Sequence, residues 1–167
     1  MKLNEPIIAE MEQEGTATRK ALERVPADKF SWKPHEKSMT LGQLASHVAE
    51  IATWTGATIN QDELDFAKAG YKPFEPKTTE ELVEFYDKNQ EGALKVLREN
   101  ATDENLMGMW SLKDGEKTYM TMPRIAVMRG FVLSHLIHHR AQLGVYLRLL
   151  DLPLPSTYGP SADENAM

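Results

Sequence analysis

The 167-residue sequence contains no cysteine. That absence excludes a disulfide framework, a thiolate metal ligand and a cysteine nucleophile. Any metal must be held by His, Asp or Glu, and any thiol chemistry must come from a bound partner. No apolar run approaches the ~20 residues that a membrane span requires. The N-terminal MKLNEPIIAEMEQEG turns acidic within a few residues and lacks the apolar core of a signal peptide. A concentrated basic patch is missing as well: 19 Lys and Arg lie scattered among 25 Asp and Glu, for a net charge of -6. A phosphate backbone or an anionic membrane surface would need such a patch. These absences lead to the expectation of a cytoplasmic protein with neither nucleic acid nor membrane as partner. What is present is ordinary globular material, 41% hydrophobic and 26% charged, in a length that suits a single domain over residues 1–167.

Four segments carry helical periodicity. Asn4 followed by Pro6 reads as an N-cap and helix start. Ile8, Met11, Gly15, Thr18, Leu22 and Val25 then recur every three or four residues until Pro26. Residues 27–39, with Phe30, Trp32 and Pro34, read as an extended connection. Thr40 with Gln43 is a capping-box pattern opening a helix over 40–59, whose inward stripe is Leu41, Leu44, His47 with Val48, Ile51, Trp54 with Thr55, and Thr58. Residues 61–77 form a crossover with a short helical piece at 63–68, broken by Gly70, Pro73 and Pro76. Thr78 with Glu81 repeats the capping box for a helix over 78–99. Alternation around Asp114-Gly115 predicts a short hairpin near 109–120. The longest helix spans 122–150, where Met128, Val132, His135, His139, Gln142, Tyr146 and Leu149 keep a repeat of about 3.5 residues. Prolines 153, 155 and 160 make the remainder a non-helical tail. The reading is an all-α protein, a four-helix bundle with sites built from inward side chains; periodicity leaves the spatial order of the helices open.

His135 and His139 are spaced i, i+4, so both rings stand on one helix face and can reach one ion. Spacing alone is weak, because incidental pairs are common. Both, however, lie on the inward seam, and His47 lies on the inward stripe of the second helix. A single inward histidine is ordinarily satisfied by a backbone carbonyl or by a hydroxyl such as that of Ser46 or Ser134. Three on two buried stripes are better accounted for by a shared ion, since a core tolerates several polar rings poorly without a common partner. His138 stands about 60° off the seam and His35 lies in a polar loop, so neither is expected to be a ligand. Glu50, one turn after His47, is either a partner behind that ring or a solvated surface residue. Three neutral nitrogen donors suit zinc, with nickel or another late metal fitting the same preference. Such a site keeps a position open for water or substrate.

The segments SWKPHEKSMTLGQLASHVAE, LSHLIHHRAQLGVYLRLLDLPLP and STYGPSADE together resemble the DinB/YfiT-like family, and the likeness runs over nearly the whole chain. HxxxHRxQ, His135 to Gln142, is its most specific piece. The resemblance implies a bundle with a crossed, non-sequential helix order and a metal site at His47, His135 and His139. Some relatives are thiol S-transferases using bacillithiol or a similar low-molecular-weight thiol, and others are mycothiol-dependent isomerases. The expectation that follows is a metal-dependent thiol S-transferase acting on small electrophiles, with a thiol co-substrate and with Trp54 shaping the electrophile pocket. The alternatives are a metal-dependent hydrolase and a non-catalytic stress-response protein whose ion staples the bundle. A homodimer is expected on the size of the bundle alone.

Overall fold

The computed structural model describes residues 2–165. In chain order its elements are α1 (Asn4–Leu22), α2 (Leu41–Glu50), α3 (Trp54–Asn60), β1 (Glu63–Asp65), α4 (Phe66–Ala69), α5 (Thr79–Asn100), α6 (Asp103–Met107), β2 (Met109–Asp114), β3 (Lys117–Pro123), α7 (Arg124–Val127) and α8 (His135–Leu149). A π-helical stretch, Met128–Ser134, joins α7 to α8. The protein is mostly helical, and a three-stranded sheet corrects the all-α expectation.

Local signals act where they are self-contained. The Thr40 Oγ1 accepts the Gln43 N–H at 3.2 Å while Gln43 Oε1 accepts the Thr40 N–H at 2.9 Å, which is the full capping box of α2. Thr78 caps α5 through the Glu81 N–H at 3.1 Å. Asn4 does not cap α1. Its side chain turns inward and donates to the Leu97 carbonyl at 3.0 Å, and Leu3 takes the cap position. The free Leu3 N–H is met at 2.8 Å by the Asp103 carboxylate at the start of α6, which suits the positive end of a helix.

Neither long inward helix is continuous. The expected 40–59 helix tightens into a 3-10 turn at Ile51–Thr53 between α2 and α3, and there the Asn89 amide of α5 donates to the Ala49 carbonyl at 3.0 Å. The expected 122–150 helix carries the π stretch ahead of α8. The hairpin is present, with Gly115 at the first turn position at φ 59° and Asp114 paired with Lys117. The segment read as a helical piece at 63–68 splits. Its first half is β1, paired in parallel with β2 through Leu64 and Leu112, and only its second half is the single turn of α4.

Helix α1 packs on α5 and α8, and α2 packs on the same two. Between them lies the main core, including Met11, Leu22, Leu44, Val48, Tyr86, Leu97, Leu133 and Leu143. A smaller cluster of Trp110, Leu112 and Val127 seats the sheet. Two buried arginines tie these parts. Arg124 donates to the carbonyls of Thr58, Gln61 and Met109 and to Asp62, joining the end of α3 to the hairpin. Arg140 of α8 reaches Glu14 of α1 at 2.6 Å, with the two residues 5% and 3% exposed. The tail is non-helical through residue 165 and folds back, its Tyr158 hydroxyl donating to both Glu14 carboxylate oxygens at 2.9 Å.

Removing one member of a buried, hydrogen-bonded ion pair leaves an uncompensated charge and costs about 3–5 kcal/mol. Arg140→Met is therefore expected to lower the unfolding free energy by that amount in urea titration. Adding Glu14→Met is expected to recover most of the loss.

Candidate metal centre

His47 is contributed by the last turn of α2 and His135 and His139 by the first turns of α8, two helices in direct contact. The i, i+4 spacing stacks the rings of His135 and His139 on one face, with centroids 4.6 Å apart, and the His47 ring meets both at 5.0 and 4.6 Å. One ring nitrogen from each of the three lies within 4.8 Å of the others, and all three residues are half-buried. His138 is exposed, its ring edge-on to His139 at 4.8 Å, and it is outside the group. His35 is exposed and accepts the Lys37 N–H.

Each ring is held from behind through its Nδ1. His47 Nδ1 meets Glu50 Oε1 at 3.0 Å, His139 Nδ1 meets Gln142 Oε1 at 2.7 Å, and His135 Nδ1 meets the Phe131 carbonyl at 3.3 Å. All three partners are acceptors, so each Nδ1 carries the proton and each Nε2 presents its lone pair. The third partner is a main-chain carbonyl within the π stretch. At its end the His135 N–H bonds to the Val132 carbonyl. The Phe131 carbonyl, the usual α-helical acceptor of that N–H, meets the ring instead.

The Nε2 atoms of His47 and His135 face each other at 3.2 Å. With both protons committed to Nδ1, two lone pairs meet there with no hydrogen between them, an arrangement that a shared cation relieves. The rings of His135 and His139 are also held in their neutral forms. Burial is the main force lowering the pKa of His135, helped by its histidine neighbours, and it pushes His139 down to about 4. Neutral imidazoles braced by oxygen acceptors are the state in which histidine ligates a metal. The residues present fit a late divalent ion such as zinc.

Two recesses reach the triad, and they share no lining residue. A cleft of about 520 Å³ is lined by His47 and Glu50 together with Phe30, Gln43, Tyr71 and Phe74, among others. A shallower recess of about 280 Å³ is lined by Gly130, Phe131, Ser134, His135 and His138. Trp54 lines neither. Its ring stacks on Phe131, which lines the second recess, and meets Phe66 edge-on. The residues behind the rings were largely missed from the sequence, although a signal exists: an oxygen acceptor stands three residues after two of the histidines, Glu50 after His47 and Gln142 after His139.

A mostly helical chain whose inward face gathers three imidazoles at one point defines a class of helical proteins equipped for a metal ion. The sequence matches the DinB family over residues 1–166, and the chain belongs to that family. It is 26% identical over 154 residues to the uncharacterized protein YrdA of Bacillus subtilis, spanning 92% of this chain and 86% of YrdA. Two solved structures are similar in fold. A DinB-like protein from Bacillus cereus superposes with a TM-score of 0.72 at 20% identity, over 92% of this chain and 97% of that one. The DinB-like protein YjoA from Bacillus subtilis gives 0.73 at 20% identity, over 91% and 97%.

Titration with zinc, followed by competition with a chromophoric chelator, is expected to give one ion per chain. Alanine at any one of His47, His135 or His139 is expected to cost more than the roughly 10–100-fold that loss of a partner behind a ligand costs.

Proposed function

We propose that this protein holds one divalent ion, zinc or nickel, at His47, His135 and His139 and acts as a metal-dependent transferase that joins a low-molecular-weight thiol to a small electrophile. The observation that carries the reading is a three-donor site reached from two separate recesses. Three protein donors leave a coordination position open, whereas a purely structural site is closed by four. Among the described residues the cluster contains those three side chains and no more. Two recesses suit two reactants, and the chain's lack of cysteine requires the thiol to come from outside.

When bound, the ion stabilises a thiolate and so supplies a nucleophile at neutral pH. The chain's own residues supply position. Glu50, Gln142 and the Phe131 carbonyl fix the rings, and Phe30, Met39 and Phe74 offer the body of an electrophile an apolar wall beside His47. In the transfer the thiol proton is lost to solvent, a sulfur–carbon bond forms, and the leaving group departs with its bonding pair. The same reading takes the fold as one domain over residues 1–167, a four-helix bundle in crossed order. The contacts of α1 and of α2 with both α5 and α8 support that order.

Protein loaded with zinc or nickel is expected to conjugate bacterial thiols to a panel of alkyl and aryl electrophiles faster than the His135→Ala variant. Equal rates for the two proteins across the panel would refute the transferase reading, and hydrolysis of small esters in their place would move the assignment to a hydrolase.

A further inference from the structure

We propose that Tyr71 is a positioning residue of the metal centre and that it couples the ion to the wall of the cleft. The inference rests on the metal reading above. Tyr71 belongs to residues 70–77, which have no regular secondary structure, and it is 62% exposed. A tyrosine so exposed on a loop ordinarily contributes little, and its replacement changes stability by no more than about 0.5 kcal/mol. This one lines the cleft and joins the loop to α2. Its hydroxyl donates to both carboxylate oxygens of Glu50, at 2.7 and 2.9 Å. Glu50 Oε1 in turn accepts the Nδ1–H of His47 at 3.0 Å. The chain of contacts runs from an exposed phenol through one carboxylate to a ring whose Nε2 faces the triad.

The loop is built to deliver that phenol. Gly70 ends α4 in the left-handed region at φ 58°, which glycine adopts without strain and which starts the return of the chain toward α2. Beyond Tyr71, Phe74 stacks on Phe85 of α5 with centroids 4.0 Å apart, and the Lys77 N–H donates to Glu81 at 2.7 Å. Pro73 and Pro76 stiffen the stretch between these points. Tyr71, Pro73, Phe74 and Pro76 are also one wall of the 520 Å³ cleft. The hydroxyl that steadies Glu50 therefore also fastens this wall to α2.

A carboxylate behind a ligating imidazole sets the ring's orientation and raises its basicity. A donor on that carboxylate restricts the rotamers it samples, so losing the donor loosens the ring. Linkage then requires reciprocity: if anchoring of Tyr71 favours the ion, the ion favours anchoring by the same factor.

The test measures zinc affinity by chelator competition for wild type, Tyr71→Phe, Glu50→Ala and the double variant, with amide hydrogen exchange at residues 70–77 followed with and without zinc. Glu50→Ala is expected to weaken zinc by about 10–100-fold, and Tyr71→Phe, one contact further out, by roughly three- to tenfold. In the Glu50→Ala background Tyr71→Phe is expected to add nothing, a non-additivity that a general loss of loop structure would not produce. Zinc is expected to slow exchange in the loop of the wild type and to leave the loop of Tyr71→Phe unchanged. Wild-type zinc affinity in Tyr71→Phe, or loop exchange in the wild type indifferent to zinc, overturns the coupling and leaves the metal site standing. A wild type that binds zinc no better than His135→Ala overturns both.

Discussion

The buried pair of Arg140 and Glu14 sets the frame in which the histidines stand. Arg140 pairs with the Glu14 carboxylate at 2.6 Å and donates to the Glu14 carbonyl, to Thr18 Oγ1 and to the Tyr158 hydroxyl. Almost every polar direction on the guanidinium is thereby used, which is what a charge inside a protein requires. Because the planar fork accepts few orientations, the pair fixes the rotation of α8 about its own axis against α1. Neighbouring residues on a helix are turned by about 100°, so holding Arg140 toward α1 and the tail sends His139, and His135 one turn before it, toward α2. A roll of one residue position would instead present His138, which in the observed rotation is exposed.

The polar parts behind the rings are half-buried at Glu50, exposed at Gln142 and main chain at Phe131. Glu50 serves His47 and Tyr71 together. Gln142 is a neutral acceptor for His139, and His135 uses a main-chain carbonyl within the π stretch. A main-chain carbonyl thus does the work of a third acceptor side chain, within a π stretch of the kind that often appears beside functional sites.

Features legible in the sequence were those whose determinants lie within one turn or one face. The Thr40–Gln43 box is such a case, as are the inward stripe carrying His47 and the i, i+4 pair on α8. Features set by distant partners were not legible. Asn4 has the chemistry of a cap and serves a carbonyl 93 positions away. Residues 63–65 are too few for periodicity to tell strand from helix, and their pairing with β2 lies across the whole of α5. The partner of Arg140, Glu14, lies 126 positions away and has no local signal. The π stretch leaves no mark, because its apolar spacing is compatible with an α-helix over so short a span. Tyr71 sits in a segment whose Gly and Pro residues announce a loop but not its destination.

The donor set contains nitrogen alone, and the chain offers no thiol anywhere. Thiolate sites lose their metal when peroxide carries the sulfur to sulfenic or sulfinic acid. No step of that ladder is open to an imidazole triad. Oxidant reaching the exposed methionines Met107 and Met109 would alter the surface and leave the donors intact. A centre of this composition can share a compartment with the reactive electrophiles and oxidants that disarm cysteine-based metal sites.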